Sequence, residues 1–252
     1  MATYSTQAIV LSSRNFGEAD RILTLLTFER GKVRAVARGA RRPRNRLAAL
    51  VQPLSHIEAL IMEGNQLDTL SQGQLLNSFR FLGEDLDKMS HALYLNELFE
   101  MAIEGATEVR DYFILLLTGY ELLQNLDNLQ IIRAFIEVKL NILQGFAPVL
   151  SKCSICGKGS EQVQEQLWNY YPDEGAIKCK GCSQGAYFVE LTQPALLLWR
   201  TLSREDSRWL VNQNVSGKVL AELRPALNAS LSLALGKLPK SSSFLNSLYQ
   251  LD

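Results

Sequence analysis

Four cysteines carry the most specific chemical pattern in the chain. Cys153 and Cys156 form one C-x2-C pair, and Cys179 and Cys182 form a second pair after a spacer of 22 residues. Each pair places two thiolates on one side of a tight turn, and a spacer of this length allows a hairpin that brings four sulfurs into a tetrahedron. The pattern predicts one structural Zn2+ per chain. A redox dithiol, an iron–sulfur cluster and unpaired buried thiols are the alternatives.

The residues around the two pairs fit the same interpretation. Gly157 and Gly181 lie in the two turns, where a positive φ lets backbone amides turn toward sulfur. Residues 167–171 and 176–179 are expected to be strands, and residues 172–175 between them form a turn signal. Because four thiolates leave no coordination position open, the metal is expected to stabilise the fold and not to catalyse. Nearby lysines are expected to offset the thiolate charge, with nucleic-acid contact as the alternative; they are Lys152, Lys158, Lys178 and Lys180.

A second chemical feature is the basic stretch at residues 30–46, in which eight residues are Lys or Arg and none is acidic. Its first half alternates, so a strand there would place the basic side chains on one face and Val33, Ala35 and Ala37 on the other. Residues 39–46 have no apolar period and are predicted to be a mobile loop. Arginine pairs with phosphate oxygens, and each neutralised phosphate releases counterions. The residues predicted to bind DNA are Lys32, Arg34, Arg38, Arg41, Arg42, Arg44 and Arg46. A solvated hairpin without a partner is the alternative.

Signals for covalent catalysis are weak. His56 is expected in a strand and His91 in a helix, and neither has a Ser, Cys or carboxylate pattern typical of a triad. Neither a P-loop nor a dinucleotide-binding fingerprint is present. Glu84, Asp85 and Asp87 crowd where a helix is expected to begin and would favour its dipole, with a metal-binding pair as the alternative. The sequence therefore predicts that the protein is not an enzyme and has no small-molecule substrate.

Aromatic side chains near the basic stretch could stack on the bases of a single strand. Tyr4, Phe16 and Phe28 lie in the same part of the chain, and each is either a stacking platform or a core residue. Trp199 and Trp209 are expected to be helical core. The aromatic residues therefore leave the stacking prediction open.

Charge is distributed unevenly along the 252 residues, although the net charge is zero. Residues 1–80 hold 11 Lys and Arg against 6 Asp and Glu, and residues 81–252 hold 15 against 20. The basic N-terminal part suits nucleic acid, and the acidic remainder suits protein partners. The N-terminus lacks the pattern of a signal peptide, and no apolar stretch is long enough to span a bilayer. We therefore expect a cytoplasmic protein without a membrane partner.

The first 80 residues have the pattern of a small β-barrel. Short alternating or apolar runs, separated by Gly and Asn punctuation, predict strands at residues 4–13, 21–28, 32–40, 55–62 and 67–74. Five short strands with a basic face favour an oligonucleotide-binding (OB) barrel. An SH3-like barrel is the alternative, because strand count does not separate the two.

The remainder of the chain has helical periodicity on both sides of the cysteines. Helices are predicted within residues 82–150, ending at Gly145, and again from an N-cap at Thr192. Pro225 is expected to kink or start a helix. The predicted fold is an α+β multidomain protein. An OB-fold β-barrel at residues 1–80 precedes an α-helical domain at residues 81–252, which is interrupted at residues 152–185 by an inserted zinc-finger segment with four cysteine ligands.

The ordered segments of this chain resemble the bacterial recombination mediator family RecO over nearly its whole length. The segments that carry the resemblance are residues 27–33 (Thr-Phe-Glu-Arg-Gly-Lys-Val), 37–43 (Ala-Arg-Gly-Ala-Arg-Arg-Pro), 52–54 (Gln-Pro-Leu), 93–98 (Leu-Tyr-Leu-Asn-Glu-Leu), 145–148 (Gly-Phe-Ala-Pro) and 153–157 (Cys-Ser-Ile-Cys-Gly). The resemblance implies the same barrel, helical domain and zinc-binding insert. It also implies DNA repair by homologous recombination at the nucleoid.

The resemblance further implies particular partners and activities. They are binding of single- and double-stranded DNA, annealing of complementary strands, action with the RecR protein, and recombinase loading on DNA coated by single-strand-binding protein. The family also contacts the acidic C-terminal tail of that coating protein, and Arg133 and Lys139 are candidates because they are basic residues on an otherwise apolar helix. The alternative is a zinc-stabilised scaffold whose basic patch binds RNA or an acidic protein.

Two departures from the family pattern qualify these expectations. The family often has Lys-Ser-Arg before a final Phe-Leu, whereas residues 240–245 here are Lys-Ser-Ser-Ser-Phe-Leu. A contact that depends on that arginine is therefore not expected in this chain. Some members lack the four cysteines, which implies that zinc is not essential to the family's activity.

Overall fold

Five strands at the start of the chain close into a barrel in the order β1-β2-β3-β5-β4. The computed structural model describes residues 2–104, 106, 108–161, 167–185 and 187–248. The barrel strands are β1 (Thr3–Phe16), β2 (Asp20–Thr27), β3 (Gly31–Ala37), β4 (His56–Met62) and β5 (Asp68–Asn77). β1 pairs antiparallel with both β2 and β4, and β3 pairs with β5 in parallel. This five-stranded barrel, with strand order departing from chain order, confirms the predicted OB-like fold.

Alternating side chains explain why the first three strands form one wall of the barrel. In register across β1, β2 and β3, the inward row is Val10, Leu25 and Val33, and an outward row is Ser12, Thr24 and Arg34. The inward residues belong to a buried apolar core, which stabilises the barrel by about 1.5–3 kcal/mol for each fully buried large side chain. The outward row therefore carries the hydroxyl groups of Ser12 and Thr24 and the cation of Arg34.

The connection from β3 to β4 is a series of turns. β3 ends at Ala37, earlier than predicted, and Gly39 has a positive φ of 66° that a strand does not use. The N–H of Gly39 donates to Asp20 Oδ1 at 2.7 Å, and Asn45 Nδ2 donates to Gly39 O at 2.8 Å. These contacts fix the start of the basic connection to the start of β2.

Three helices follow the barrel in the region where helical periodicity predicted them. They are α1 (Leu86–Ala102), α2 (Arg110–Asn125) and α3 (Leu129–Leu143). Asp85 is the N-cap of α1, and its Oδ1 accepts from the backbone N–H groups of Asp87 and Lys88 at 2.9 and 3.1 Å. α3 ends just before Gly145, which has a positive φ of 80°. The acidic cluster and the glycine therefore mark the helix boundaries as predicted.

The cysteine region forms a second sheet of four strands, in the order β6-β8-β7-β9. Its strands are β6 (Val149–Cys153), β7 (Leu167–Tyr171), β8 (Ala176–Cys179) and β9 (Val189–Thr192). β7 and β8 form the predicted antiparallel hairpin, and Gly175 in their turn has a φ of 57°. The sheet extends beyond the predicted insert at residues 152–185, because Val149 pairs with β8 and β9 pairs with β7.

Three further helices follow this sheet: α4 (Gln193–Arg204), α5 (Gly217–Leu235) and α6 (Ser241–Leu248). Thr192 is the N-cap of α4, as predicted, because its Oγ1 accepts from the N–H of Ala195 at 3.4 Å. Pro225 lies inside α5 and does not start it. It supplies no backbone N–H, so one hydrogen bond of that helix is not formed.

The chain packs as two compact units. One unit contains residues 1–125 and 239–252, and the other contains residues 126–238. The domain boundary after residue 80 stays a prediction. None of the helices in the described part of the chain combines the length and apolar character that a membrane span requires.

A buried polar cluster ties α1 to the barrel within the first unit. Asn96 Nδ2 donates to Leu11 O at 2.8 Å, and the Tyr120 hydroxyl donates to Asn96 Oδ1. Burial raises the pKa of Tyr120 well above its usual value, so the hydroxyl remains a donor. An unpaired polar group at this depth would cost about 1–3 kcal/mol, so the pairing fixes the position of α1 on the barrel.

Glu97, next to Asn96 on α1, anchors the start of α6. Its Oε1 accepts from the backbone N–H of Lys240 at 2.7 Å, and its Oε2 accepts from the N–H and Oγ of Ser241 at 3.0 and 2.6 Å. These N–H groups lack partners within the helix, and a negative charge here also favours the helix dipole. Burial alone would raise the pKa of Glu97, but the hydrogen bonds from Ser241 and Lys240 lower it overall.

We expect Glu97→Gln to destabilise the protein by about 1 kcal/mol, because a helix-capping carboxylate is lost. The pKa of Glu97 is lowered on folding, so the wild-type contribution is fully present above the ordinary pKa of 4.5 and is lost as the pH falls below it. Urea unfolding at neutral and acidic pH measures both effects. Equal stability of wild type and variant at neutral pH would contradict this role.

Candidate metal centre and nucleic-acid interface

The four cysteine sulfurs lie together in the second sheet. All four Sγ atoms are within 4.8 Å of one another, and Cys156 Sγ is 3.8 Å from Cys179 Sγ. In a tetrahedral site with Zn–S bonds of about 2.3 Å, two sulfurs are separated by about 3.8 Å. The backbone N–H of Cys179 also points at Cys153 Sγ, at 3.4 Å. The cluster therefore has the donor set and the spacing to hold a metal ion.

Two different turns bring the cysteines together. Cys153 ends β6, and the turn that follows closes with the N–H of Gly157 donating to Cys153 O at 3.1 Å. Gly157 has the predicted positive φ, at 73°. Cys179 ends β8, and a 3-10 turn (Lys180–Cys182) carries the second pair. The expectation for Gly181 was wrong, because a 3-10 turn keeps its φ negative.

The thiols have unequal proton affinities. Burial would raise the pKa of Cys153, but amide hydrogen bonds from Cys156, Cys179 and Ile155 lower it to about 6. Burial raises the pKa of Cys179. The pKa of Cys182 rises to about 12, chiefly through its hydrogen bond with Cys179. A cation at the centre would favour the thiolate form of all four.

The lysines near the cysteines do not act as one group. Lys178 is 8% exposed, its Nζ lies 2.6 Å from Glu174 Oε1, and it packs over the Tyr171 ring at 4.0 Å. Its charge is therefore used within the sheet. Lys152 and Lys180 are exposed beside the cluster. Lys152 and Lys180 are therefore better placed than Lys178 either to offset the thiolate charge or to contact nucleic acid.

A basic hollow of about 570 Å³ lies on the outer face of the barrel against the end of α1. The predicted residues Lys32 and Arg34 line it, together with the hydroxyl groups of Ser12 and Thr24. Arg14 also lines it and was missed from the sequence, because its neighbours in the hollow come from β2 and β3 and lie outside its own stretch of sequence. A β-bulge between Val10 and Ser12 turns Ser12 and Arg14 to the outer face, whereas strict alternation from the buried Val10 would place both of them inside.

The cations of this hollow differ in their partners. Lys32 Nζ lies 3.0 Å from Glu104 Oε2 and 3.9 Å from Glu100 Oε1. In the part of the chain that the structure describes, Arg14 and Arg34 form no ion pair. Lys32 therefore already has carboxylate partners, and its predicted contact with DNA stays a prediction.

Arg38 and the arginines of the predicted basic loop have different surroundings. Arg41 is held at the β1–β2 turn, where its Nη1 donates to Gly17 O at 2.9 Å. Arg38 and Arg46 line a separate hollow of about 510 Å³ with Ser71 and Gln72 of β5.

The remaining loop arginines, Arg42 and Arg44, are exposed, and Arg44 has a positive φ of 65°. No ion pair joins Arg38, Arg42, Arg44 or Arg46 to the residues described. These cations are available to an anionic partner.

The aromatic candidates near the basic surface have different environments. The Tyr4 ring is covered by the Arg30 guanidinium at 3.7 Å, and burial together with Asp68 raises the pKa of Tyr4 to about 12. Phe28 packs edge-on against Phe113, with ring centroids 5.4 Å apart. Phe16 is 49% exposed at the end of β1. Of the three, Phe16 is the one that presents an open ring.

The candidate residues for an acidic tail lie on α3. Arg133 is 4% exposed and its Nε pairs with Glu137 Oε1 at 2.8 Å, while Arg224 pairs with the other oxygen of Glu137. A guanidinium at this depth is not accessible to a peptide, which disfavours Arg133. Lys139 Nζ donates to Ser203 O at 2.9 Å, and partial burial lowers its pKa. Lys139 is half-buried and stays a candidate.

The two histidines have structural contacts. His56 lies in β4, where its Nε2 is 3.1 Å from Gln7 Oε1, and burial lowers its pKa. His91 lies in α1 with its Nδ1 2.8 Å from Asp87 O. Trp199 is buried in α4, as expected, and Trp209 is half-buried. These contacts position the histidines within the fold.

The fold, the four-cysteine cluster and the basic barrel surface together define a class of protein. Its members combine an OB-like barrel, a helical region and a sheet that carries four cysteines. Family models described as "Recombination protein O N terminal" and "Recombination protein O C terminal" match residues 1–79 and 83–243. The chain belongs to this family, RecO.

Curated relatives agree over nearly the whole chain. The chain is 40% identical to the DNA repair protein RecO of Symbiobacterium thermophilum, over 98% of both chains. It is 36% identical to the RecO of Heliobacterium modesticaldum, over 92% of this chain and 85% of the relative. It is 32% identical to the RecO of Desulforamulus reducens, over 99% and 96%. These relatives support a function in DNA repair and recombination.

Proposed function

We propose that this protein is a DNA-binding recombination mediator that binds single- and double-stranded DNA and anneals complementary strands. The observation that carries the proposal is the set of exposed barrel arginines whose guanidinium groups have neither an ion pair nor a hydrogen bond among the described residues: Arg14, Arg34, Arg38, Arg42, Arg44 and Arg46. A surface of this kind binds phosphate irrespective of base sequence.

Annealing requires two polyanions to approach each other. The arginines line two hollows, one with Arg14 and Arg34 and the other with Arg38 and Arg46, and the turn with Arg42 and Arg44 belongs to the same basic connection. Cations at several places on one barrel neutralise phosphates on both strands and lower their repulsion. Base pairing itself then joins the strands, so the protein makes and breaks no covalent bond and is not an enzyme.

The four cysteines are proposed to hold one structural Zn2+. The sulfur spacing fits a tetrahedral site, and Cys153, Cys156, Cys179 and Cys182 supply all four ligands. A bound zinc would cross-link β6 and β8 at their ends and so stabilise the second sheet. The proposal leaves the DNA contacts to the barrel, which has its own core.

Membership of the RecO family supports a proposal for the protein partners. We propose that the chain acts with RecR and contacts the C-terminal tail of single-strand-binding protein, so that recombinase loads on coated DNA at the nucleoid. Lys139 is the surviving tail candidate in the second unit. Lys139→Glu is expected to weaken binding of the isolated tail peptide and to leave DNA binding unchanged.

The salt dependence of single-strand binding tests the phosphate interpretation. If about five phosphates are contacted, a plot of the logarithm of the binding constant against the logarithm of salt concentration should have a slope of about −3.5. Fluorescence anisotropy of a labelled oligonucleotide over a range of salt gives the slope directly. Binding that does not change with salt would contradict a phosphate-binding surface.

A further inference from the structure

Two carboxylates from α1 and the residues after it lie in the proposed DNA-binding hollow. Glu104 Oε2 lies 3.0 Å from Lys32 Nζ, and Glu100 contributes Oε1 at 3.9 Å and its backbone O at 3.3 Å. The side chain of Glu104 is 78% exposed and that of Lys32 is 23% exposed. Lys32 is thus held near the surface of the hollow by groups that solvent and ligands can reach.

Lys32 lies on the same track as the unpaired arginines. It is two residues before Arg34 on β3, so both leave the same face of the strand about 7 Å apart. Arg14 reaches the same hollow from β1. A single strand of DNA that follows Arg14 and Arg34 therefore brings a phosphate toward Lys32. The ammonium group of Lys32 is already paired with the carboxylates of Glu104 and Glu100.

We propose that Glu104, assisted by Glu100, is an internal competitor for DNA phosphate at Lys32. The inference rests on the proposed DNA binding. The Glu104 side of the pair is largely exposed and screened by solvent, which keeps the pair weak, so a phosphate can displace Glu104, but the displacement lowers the net affinity. The carboxylate recaptures Lys32 when the strand leaves. This competition keeps the affinity for single-stranded DNA low enough for the protein to release the DNA once the strands have paired.

The test compares single-strand binding by wild type and Glu104→Gln, a change that keeps the shape of the side chain and removes its charge. We expect the variant to bind about 3-fold tighter in low salt, because a carboxylate as exposed as that of Glu104 opposes phosphate only weakly. Its salt slope should be steeper by about 0.7, since the variant has no carboxylate that is freed on binding and takes up a cation, which in wild type offsets one released counterion. Anisotropy with a labelled single-stranded oligonucleotide of mixed sequence gives both quantities.

Glu108→Gln is the matched control. Glu108 is exposed and close in sequence to Glu104, and in the described part of the chain it does not pair with Lys32. Like Glu104→Gln, the Glu108→Gln substitution removes one negative charge from this part of the chain. A gain for Glu108→Gln equal to that for Glu104→Gln would overturn the proposal, because the effect would then be one of net charge.

A double-mutant cycle locates the effect at Lys32. In a Lys32→Gln background, Glu104→Gln should give no more gain than Glu108→Gln, since there is no ammonium group to release. The full gain in that background would overturn the proposal. If wild type binds no single-stranded DNA at any salt concentration, the proposed function fails and this inference fails with it. Wild-type binding that Glu104→Gln leaves unchanged overturns the inference alone.

Discussion

Replacing Arg41, Arg42, Arg44 and Arg46 together with Gln is expected to weaken single-strand binding by roughly 100-fold near 0.1 M salt. Each arginine that neutralises a phosphate contributes through counterion release, and the salt slope should become shallower by about 2.8 if all four make a contact. The loss should be the same for oligonucleotides of different sequence, because phosphate contacts carry no base information. Anisotropy titrations at several salt concentrations measure both the affinity and the slope.

The control for this variant removes cations from the second unit. Lys218 and Lys237 are exposed there, and their replacement with Gln changes net charge without touching the barrel. The Lys218 and Lys237 double variant is compared with an Arg42 and Arg44 double variant, because each of them removes two positive charges. Arg42 and Arg44 are also better test positions than Arg41, whose hydrogen bond to Gly17 holds the β1–β2 turn. If the two double variants bound single-stranded DNA equally well, the basic loop would not be part of the DNA-binding surface.

Replacing Cys179 with Ser is expected to abolish stoichiometric zinc binding and to lower the melting temperature by an amount on the order of 5–10 °C. Cys179 is buried at the end of β8 and lies 3.8 Å from Cys156, so its loss removes one ligand and leaves three thiolates close together. Metal analysis of the purified protein and a thermal unfolding curve measure the two effects. A chelator should lower the wild-type melting temperature by a similar amount.

Ser154→Ala is the control for the cysteine variant, because Ser154 is exposed between Cys153 and Cys156. It should retain zinc and melt like wild type. Cys179→Ser should keep most of its single-strand affinity at low temperature, since the barrel has a separate core. A Cys179→Ser protein with full zinc content and an unchanged melting temperature would show that the cluster does not hold a structural metal.

Local patterns predicted most of the secondary structure. The strands of the barrel alternate apolar and polar residues, so their existence and their inward faces could be predicted before any contact was known. The OB-like topology required the structure, because five short strands fit more than one barrel. The strand ends also depended on context, as at Gly39, whose contact with Asp20 ends β3 earlier than the alternation suggested.

The sites were predictable to different extents. The cysteine spacing predicted the cluster of four sulfurs, because the motif itself is local. The basic surface was predicted as one row, but the ion pair between Lys32 and Glu104 joins residues far apart in sequence. Arg14 was missed for the same reason, since its neighbours in the hollow come from β2 and β3. The burial of Arg133 against Glu137 follows from helix packing that no local pattern contains.

The central claim, that the basic barrel brings two DNA strands together, is tested most directly by the annealing rate of complementary labelled oligonucleotides. Wild type should accelerate annealing well above the spontaneous rate. The Arg41, Arg42, Arg44 and Arg46 variant, shown to be folded and to carry zinc, should lose most of this acceleration. An unaccelerated reaction with wild type, or full acceleration by the variant, would contradict the account.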